Sequence, residues 1–139
     1  MDPLQIVKKQ FENDNFARKF GIILDAVGQD FVKMHMTLEP GYNNLFDRPH
    51  GGAIYALADA AFSVIGNNNN NLSVALECSI SYHASPDPGQ ILYVEGREVV
   101  GTRKIGTYLF TLYTVEGGEK KTVATMKSTL YKTGKPIQE

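Results

Sequence analysis

The chain has 139 residues, 42% hydrophobic and 21% charged, with a formal net charge of −1. That length suits one domain, 1–139, around one core. The charge leaves no basic stripe for nucleic acid, and no apolar run reaches the ~18–20 residues that span a bilayer.

In chain order, Asp2-Pro3 marks a helix start, with Asp as N-cap and Pro in the first turn, and Leu4, Val7, Lys8 and Phe11 follow at helical spacing. A short helix over Asp14–Phe20 stops at Gly21. The N-terminus has acidic residues and no apolar core of a signal peptide, and Cys78 is the single cysteine. Both point to the cytoplasm. "GIILDAVGQD" and "FVKMHMTL" form a hairpin; in the second, Val32, Met34, Met36 and Leu38 alternate with Lys33, His35 and Thr37.

A Pro-, Gly- and Asn-rich loop over 39–50 leads into a long helix, about 50–66. Its five alanines and one leucine favour helix, and its lack of a polar face implies burial. Gly66 and five asparagines end it, the asparagines reading as a solvent-exposed loop. About four strands follow. In the first, Leu76, Cys78, Ile80 and Tyr82 alternate with Glu77, Ser79, Ser81 and His83; Pro86-Asp87-Pro88-Gly89 is a turn. Breaks at Gly101-Thr102-Arg103 and Gly117-Gly118 separate the others. The tail after Tyr131 is polar and reads as frayed. The expected fold is α+β: an antiparallel sheet of about six strands wrapped around one buried helix, with a helix before it.

No phosphate loop, dinucleotide fingerprint or GxSxG elbow is present, and His35, His50 and His83 have no zinc-type spacing, so neither metal nor cofactor is implied. What stands out is Asp59, the only charged side chain between Gly51 and Leu76. Its neighbours Leu57, Ala58, Ala60, Ala61 and Phe62 leave little room for a polar face, so it reads as a buried carboxylate with a raised pKa, suited to a general base. His50-Gly51-Gly52 stands at the helix start, where free amides can polarise a carbonyl oxygen and glycines allow close approach. On spacing alone the two glycines read more readily as only a tight entry into the helix. One helix cannot bring both ends to one atom; two antiparallel copies can, which predicts a homodimer with shared sites.

The pattern Asn44-x-x-Asp47-x-x-His50-Gly51-Gly52, followed by Leu57-Ala58-Asp59, resembles the signature of hotdog-fold acyl-CoA thioesterases, nearest the phenylacetate-degradation (PaaI-like) and acyl-CoA thioesterase 13 types. The resemblance implies hydrolysis of an acyl-CoA thioester, aryl or short to medium, without a metal, in dimers and dimers of dimers. Asp59 would be base or nucleophile, the Gly51 N–H would polarise the carbonyl, and Asn44 and His50 would hold carbonyl, water or loop. Gly52, Phe46, Tyr55 and Phe62, with Ile54 and Tyr82, would line the acyl side. Arg103 and Lys104 at a turn, with Arg97 and Arg48, would meet the CoA phosphates. Asp47 departs from the family's frequent glycine, which bears on the shape of the 44–50 loop. Ser73, Ala75 and Glu77, read as one strand face, leave the family's occasional strand hydroxyl unassigned. The alternatives are a non-catalytic acyl-CoA-binding hotdog protein and a hotdog hydratase.

Overall fold

The computed structural model describes residues 1–139. Helix α1 (Pro3–Phe11) opens on a capping box: the Asp2 carboxylate accepts from the Gln5 amide and the Gln5 side chain answers the Asp2 amide. Helix α2 (Asn15–Lys19) is capped by Asp14, which accepts from the Ala17 amide at 2.9 Å. The hairpin β1 (Ile23–Val27) and β2 (Phe31–Thr37) follows, then a short 3-10 turn over Pro40–Tyr42 and the central helix α3 (Gly51–Ile65). Strands β3 (Ser73–Tyr82), β4 (Ile91–Gly101), β5 (Ile105–Glu116) and β6 (Glu119–Lys132) complete one six-stranded antiparallel sheet in the order β1-β2-β4-β5-β6-β3.

The core lies between that sheet and α3. Val32, Met34 and Met36 of β2, Leu92 and Val94 of β4, and Phe110 and Leu112 of β5 meet Leu57, Ala58, Ala61 and Phe62. Alternating side chains give the sheet its buried face, and small alanines let α3 lie close to it. Gly96 is needed for the same closeness: a Cβ there would stand 2.4 Å from the Phe110 ring. No helix is long and apolar enough to cross a membrane.

Four expectations are revised. The helix α3 is not covered all round: Gly52, Asp59 and Ser63 are exposed and Tyr55 half-buried, a stripe one turn apart along its length. In β3, a bulge between Ala75 and Glu77 sets Ala75 opposite buried Leu130 and Glu77 opposite Thr129. Adjacent residues of β6 face opposite ways, so Ala75 and Glu77 do too, and Leu76 is left 58% exposed. The asparagine run is a structural junction and not a free loop. Asn67 donates to the Ser63 carbonyl at 2.8 Å and accepts from the Ser73 amide at 2.8 Å, tying the end of α3 to the start of β3. The buried Asn68 donates to the Gly28 and Gln29 carbonyls at 2.8 and 2.7 Å, holding the β1–β2 turn. Nor is the tail frayed, because Asn70 and Asn71 bond its backbone at Ile137, Gln138 and Gly134.

Candidate active site

The site grows from the entry to α3. Residue His50 has extended backbone (φ −66°, ψ 136°) and is the N-cap. Its carbonyl accepts from the Ala53 and Ile54 amides, and its Nδ1 accepts from the Gly52 amide at 2.8 Å. An imidazole nitrogen that accepts from an amide carries no proton, so Nε2 holds the ring's hydrogen. Of the first amides of the helix, only the Gly51 N–H is left without a partner. The next peptide is pinned at both ends: the Gly52 N–H by His50, and the Gly51 carbonyl by the Tyr82 hydroxyl at 3.0 Å. Glycine's backbone freedom is thus removed where a fixed donor is needed.

The loop before the helix is closed on itself. The Asn44 Oδ1 accepts from the Phe46 and Arg48 amides at 2.8 and 3.2 Å, and the Asn44 amide donates to the Arg48 carbonyl at 2.7 Å. Asn44 therefore shapes the loop. Asp47 adopts φ 59°, the left-handed region that glycine enters without strain and aspartate tolerates. That accounts for an aspartate here where a glycine is frequent. The Arg48 guanidinium bonds the Ser85 hydroxyl, the carbonyls of Ser85 and Pro86, and Asp87 through its Nε and one terminal nitrogen, so it clamps the loop to the 85–88 turn and keeps only its other terminal nitrogen unbonded.

Asp59 lies on the exposed stripe of α3, about 12 Å along the axis from Gly51. The expectation of burial within one chain is not met. Its apolar neighbours still desolvate the carboxyl, and with the nearby Asp14 charge they raise its pKa above the ordinary 3.8. One turn earlier on the same stripe stands Tyr55; the nearby Cys78 thiol of β3, desolvation and the Asp59 charge make its phenol harder to ionise. Burial likewise raises the Tyr82 phenol.

Other residues singled out from sequence lie elsewhere. Phe62 is 3% exposed and packs on Tyr108 and Phe110, in the core and not on a cavity wall; Ile54 is equally buried. Phe46 is 74% exposed on the loop. Arg97 stands on the sheet face turned away from α3, opposite Phe31 and Leu109. Arg103 and Lys104 are exposed at the β4–β5 turn, near Leu130 and Gly66, the far end of α3 from Gly51. Sequence reasoning gave Arg48 to the CoA phosphates and Tyr82 to the acyl side; it missed that Arg48 clamps the 85–88 turn, that Tyr82 holds Gly51 and that the Asp14 charge acts on Asp59. The Arg48 and Tyr82 bonds cross 31 to 39 residues, a separation at which no local pattern gives a signal.

A curved antiparallel sheet wrapped on one helix, with a free amide at the helix start and a carboxylate further down, defines a hotdog-fold hydrolase. Residues 49–121, more than half of the sequence, match the model of the Thioesterase superfamily, and the chain belongs to that family. A protein of Archaeoglobus fulgidus is 30% identical over 122 residues, spanning 88% of this chain and 77% of that one. The acyl-coenzyme A thioesterase PaaI of Escherichia coli is 26% identical over 127 residues, 91% of this chain and 89% of that one. The solved structure of the E. coli PaaI protein, from the phenylacetic acid degradation operon, superposes with a TM-score of 0.90 at 25% identity, covering 98% of this chain and 96% of that one.

Proposed function

We propose that this protein is an acyl-CoA thioesterase, and that it works as a homodimer whose two sites each take a carbonyl donor from one protomer and a carboxylate from the other. One observation carries the reading: the single unpartnered amide of α3, at Gly51, stands next to Gly52 at the start of the uncovered stripe that carries the proton-avid Asp59. Within one chain they stand about 12 Å apart, too far to act on one carbonyl. Two copies of α3, antiparallel about a two-fold axis near Tyr55, set Gly51 of each opposite Asp59 of the other. The β3 edge supports this pairing. It is ten residues long, unpaired on its outer side, and exposes Val74, Leu76 and Tyr82. The name of the E. coli relative supports the substrate class.

The chemistry follows from those groups. The thioester oxygen accepts from the Gly51 N–H, a donor of the kind worth roughly 3–4 kcal/mol as negative charge builds on oxygen. Asp59 takes a proton from water while the water oxygen bonds the carbonyl carbon. The tetrahedral adduct collapses, the carbon–sulfur bond breaks, and the CoA thiolate leaves and takes up the proton held by Asp59. Desolvation matters twice: it raises the carboxylate's proton affinity and keeps bulk water from the donor. Arg103 and Lys104, at the far end of α3 in one chain, lie on the same side as Gly51 of the partner subunit in the antiparallel pair, about 10 Å beyond it along the axis, where they can meet the CoA phosphates.

The test is release of free CoA from a panel of acyl-CoAs by wild type and Asp59→Asn. Hydrolysis by wild type, lost in the variant, supports the reading. Equal hydrolysis by both contradicts the role of Asp59. Binding of acyl-CoA without hydrolysis by either supports a non-catalytic binding protein instead.

A further inference from the structure

The asparagine junction and the C-terminal tail together build a cavity that the proposed reaction has not yet used. Asn70 Oδ1 accepts from the Ile137 and Gln138 amides at 3.1 and 2.9 Å, and its Nδ2 donates to the Gln138 carbonyl at 2.8 Å. Asn71 accepts from the Gly134 amide at 3.0 Å, and the Leu72 amide donates to the Lys135 carbonyl at 2.8 Å. These bonds hold a polar tail against the body and place the apolar Ile137 facing Val7, Phe11, Val64 and Leu72. Between them lies a cavity of about 280 Å³. Ser63, on its wall, is one turn beyond Asp59 on the same stripe, about 6 Å along the axis. Asp14, at its rim, is close enough for its charge to act on Asp59.

We propose that this cavity is the acyl subsite: it receives the apolar acyl group of a short- or medium-chain thioester whose carbonyl sits at Asp59, and Ile137, held by Asn70, sets the chain length accepted. The inference rests on the thioesterase reading and adds the substrate class to it. Ile137 and the four apolar residues it faces give the cavity an apolar side that suits an unfunctionalised acyl chain, while Gln10, Asn13, Asp14, Ser63 and Asn67 form its polar side. The volume sits at the lower edge of small-molecule cavities, ~300–1,000 Å³, so a long chain does not fit. An asparagine at 70 has a stated purpose here: its φ of 51° turns the chain, and its side chain mimics the backbone partner that the tail lacks.

The experiment measures kcat/KM for acetyl-, butyryl-, hexanoyl- and octanoyl-CoA with wild type, Ile137→Trp and Asn70→Ala. The Ile137 side chain is part-exposed and its amide is held independently, so Ile137→Trp fills the cavity without disturbing the core. Retained circular dichroism and thermal midpoint check the fold. In wild type, kcat/KM rises about fourfold per methylene until the cavity is full. Ile137→Trp lowers the octanoyl-to-acetyl ratio of kcat/KM about tenfold or more. Asn70→Ala, by freeing the tail, flattens the chain-length profile. An octanoyl-to-acetyl ratio unchanged in both variants overturns the assignment. Absence of CoA release from wild type with every acyl-CoA is a different failure: it overturns the thioesterase reading, and the subsite falls with it.

Discussion

The Tyr82 hydroxyl donates to the Gly51 carbonyl at 3.0 Å, joining the free edge strand to the first residue of the central helix. The Tyr82 ring also lies against Gly51, where a Cβ would meet its Cζ at 3.4 Å. The peptide that carries the Gly51 N–H is held in turn through its His50 carbonyl, which accepts from the Ala53 and Ile54 amides, so both peptides flanking Gly51 are fixed. Because β3 is also the surface proposed to pair with a second copy, assembly and donor geometry depend on the same strand.

Tyr82→Phe keeps the ring and removes the hydrogen bond. We expect kcat to fall about three- to tenfold with KM nearly unchanged, since a loosened donor weakens the transition state more than binding. The cost in stability should be only about 1 kcal/mol, the usual net value of such a bond. Steady-state kinetics alongside urea unfolding separates the two. A fall in stability with unchanged kcat would assign Tyr82 a structural role alone.

Asp59→Asn is expected to lower kcat by a factor of about 10²–10⁴, the range of a lost general base. Its effect on stability has the opposite sign. The folded-state pKa is raised above 3.8, so the folded protein binds the Asp59 proton more tightly than the unfolded chain does. Ionisation at neutral pH therefore opposes folding, and stability drops as pH rises through the window above 3.8. The variant should melt higher than wild type at pH 7, and the gap should narrow as pH falls toward that value. Calorimetry across pH reads this directly. The wild-type rate should likewise rise with pH through the same window as the base ionises.

At Asp47, φ of 59° favours glycine. Asp47→Gly should leave the loop intact and change stability by less than about 1 kcal/mol, with strain relief offset by added unfolded-state entropy. Asp47→Val, β-branched and with no side-chain oxygen to bond the local backbone, should cost about 1–2 kcal/mol. It should also raise KM by disturbing the entry to His50. Parallel unfolding curves of the two variants decide between loop shape and charge as the role of this residue.

Asn68→Ala strips two bonds from the Gly28 and Gln29 carbonyls. With these part-buried acceptors left without their donor, a loss of about 1 kcal/mol is expected. Hydrogen exchange should show the β1–β2 turn opening more often, with the acyl-CoA kinetics unaffected.

Most of the architecture was legible from local pattern. The alternation of Val32, Met34 and Met36, the Asp2-Pro3 start and the Ala-rich run each encode their element without help from distant residues, and the helix, hairpin and sheet stand where the pattern puts them. Gly51 and Asp59 were legible for the same reason: one is a helix start, the other a charge out of place. What depended on contacts between distant segments was not. The bulge at Leu76 moves Ala75 and Glu77 to opposite faces, and period two alone cannot show an extra residue. Phe62 looked like a pocket residue because helical position does not say which face meets the sheet. The asparagines read as a solvent-exposed loop because their partners lie at Gly28, Gln29 and the tail, up to 68 residues away. The open stripe on α3 is the converse case. The run looked apolar all round because it has two kinds of neighbour: its own sheet on one side and, in the proposed dimer, a second copy of itself on the other.

The most direct test is subunit complementation between Asp59→Asn and Gly51→Pro. Proline at the first helical position removes the Gly51 N–H and sets its Cβ in ordinary contact with the Tyr82 ring, at 3.4 Å, and His50 before it is already extended at ψ 136°. Each variant alone should be nearly inactive. After mixing and exchange, half of the dimers are hybrids carrying one intact site of two, so about a quarter of the wild-type rate should return. Native mass spectrometry counts the hybrids. Hybrids present with no recovered activity would mean that donor and carboxylate do not meet across a two-fold axis, and would contradict the account.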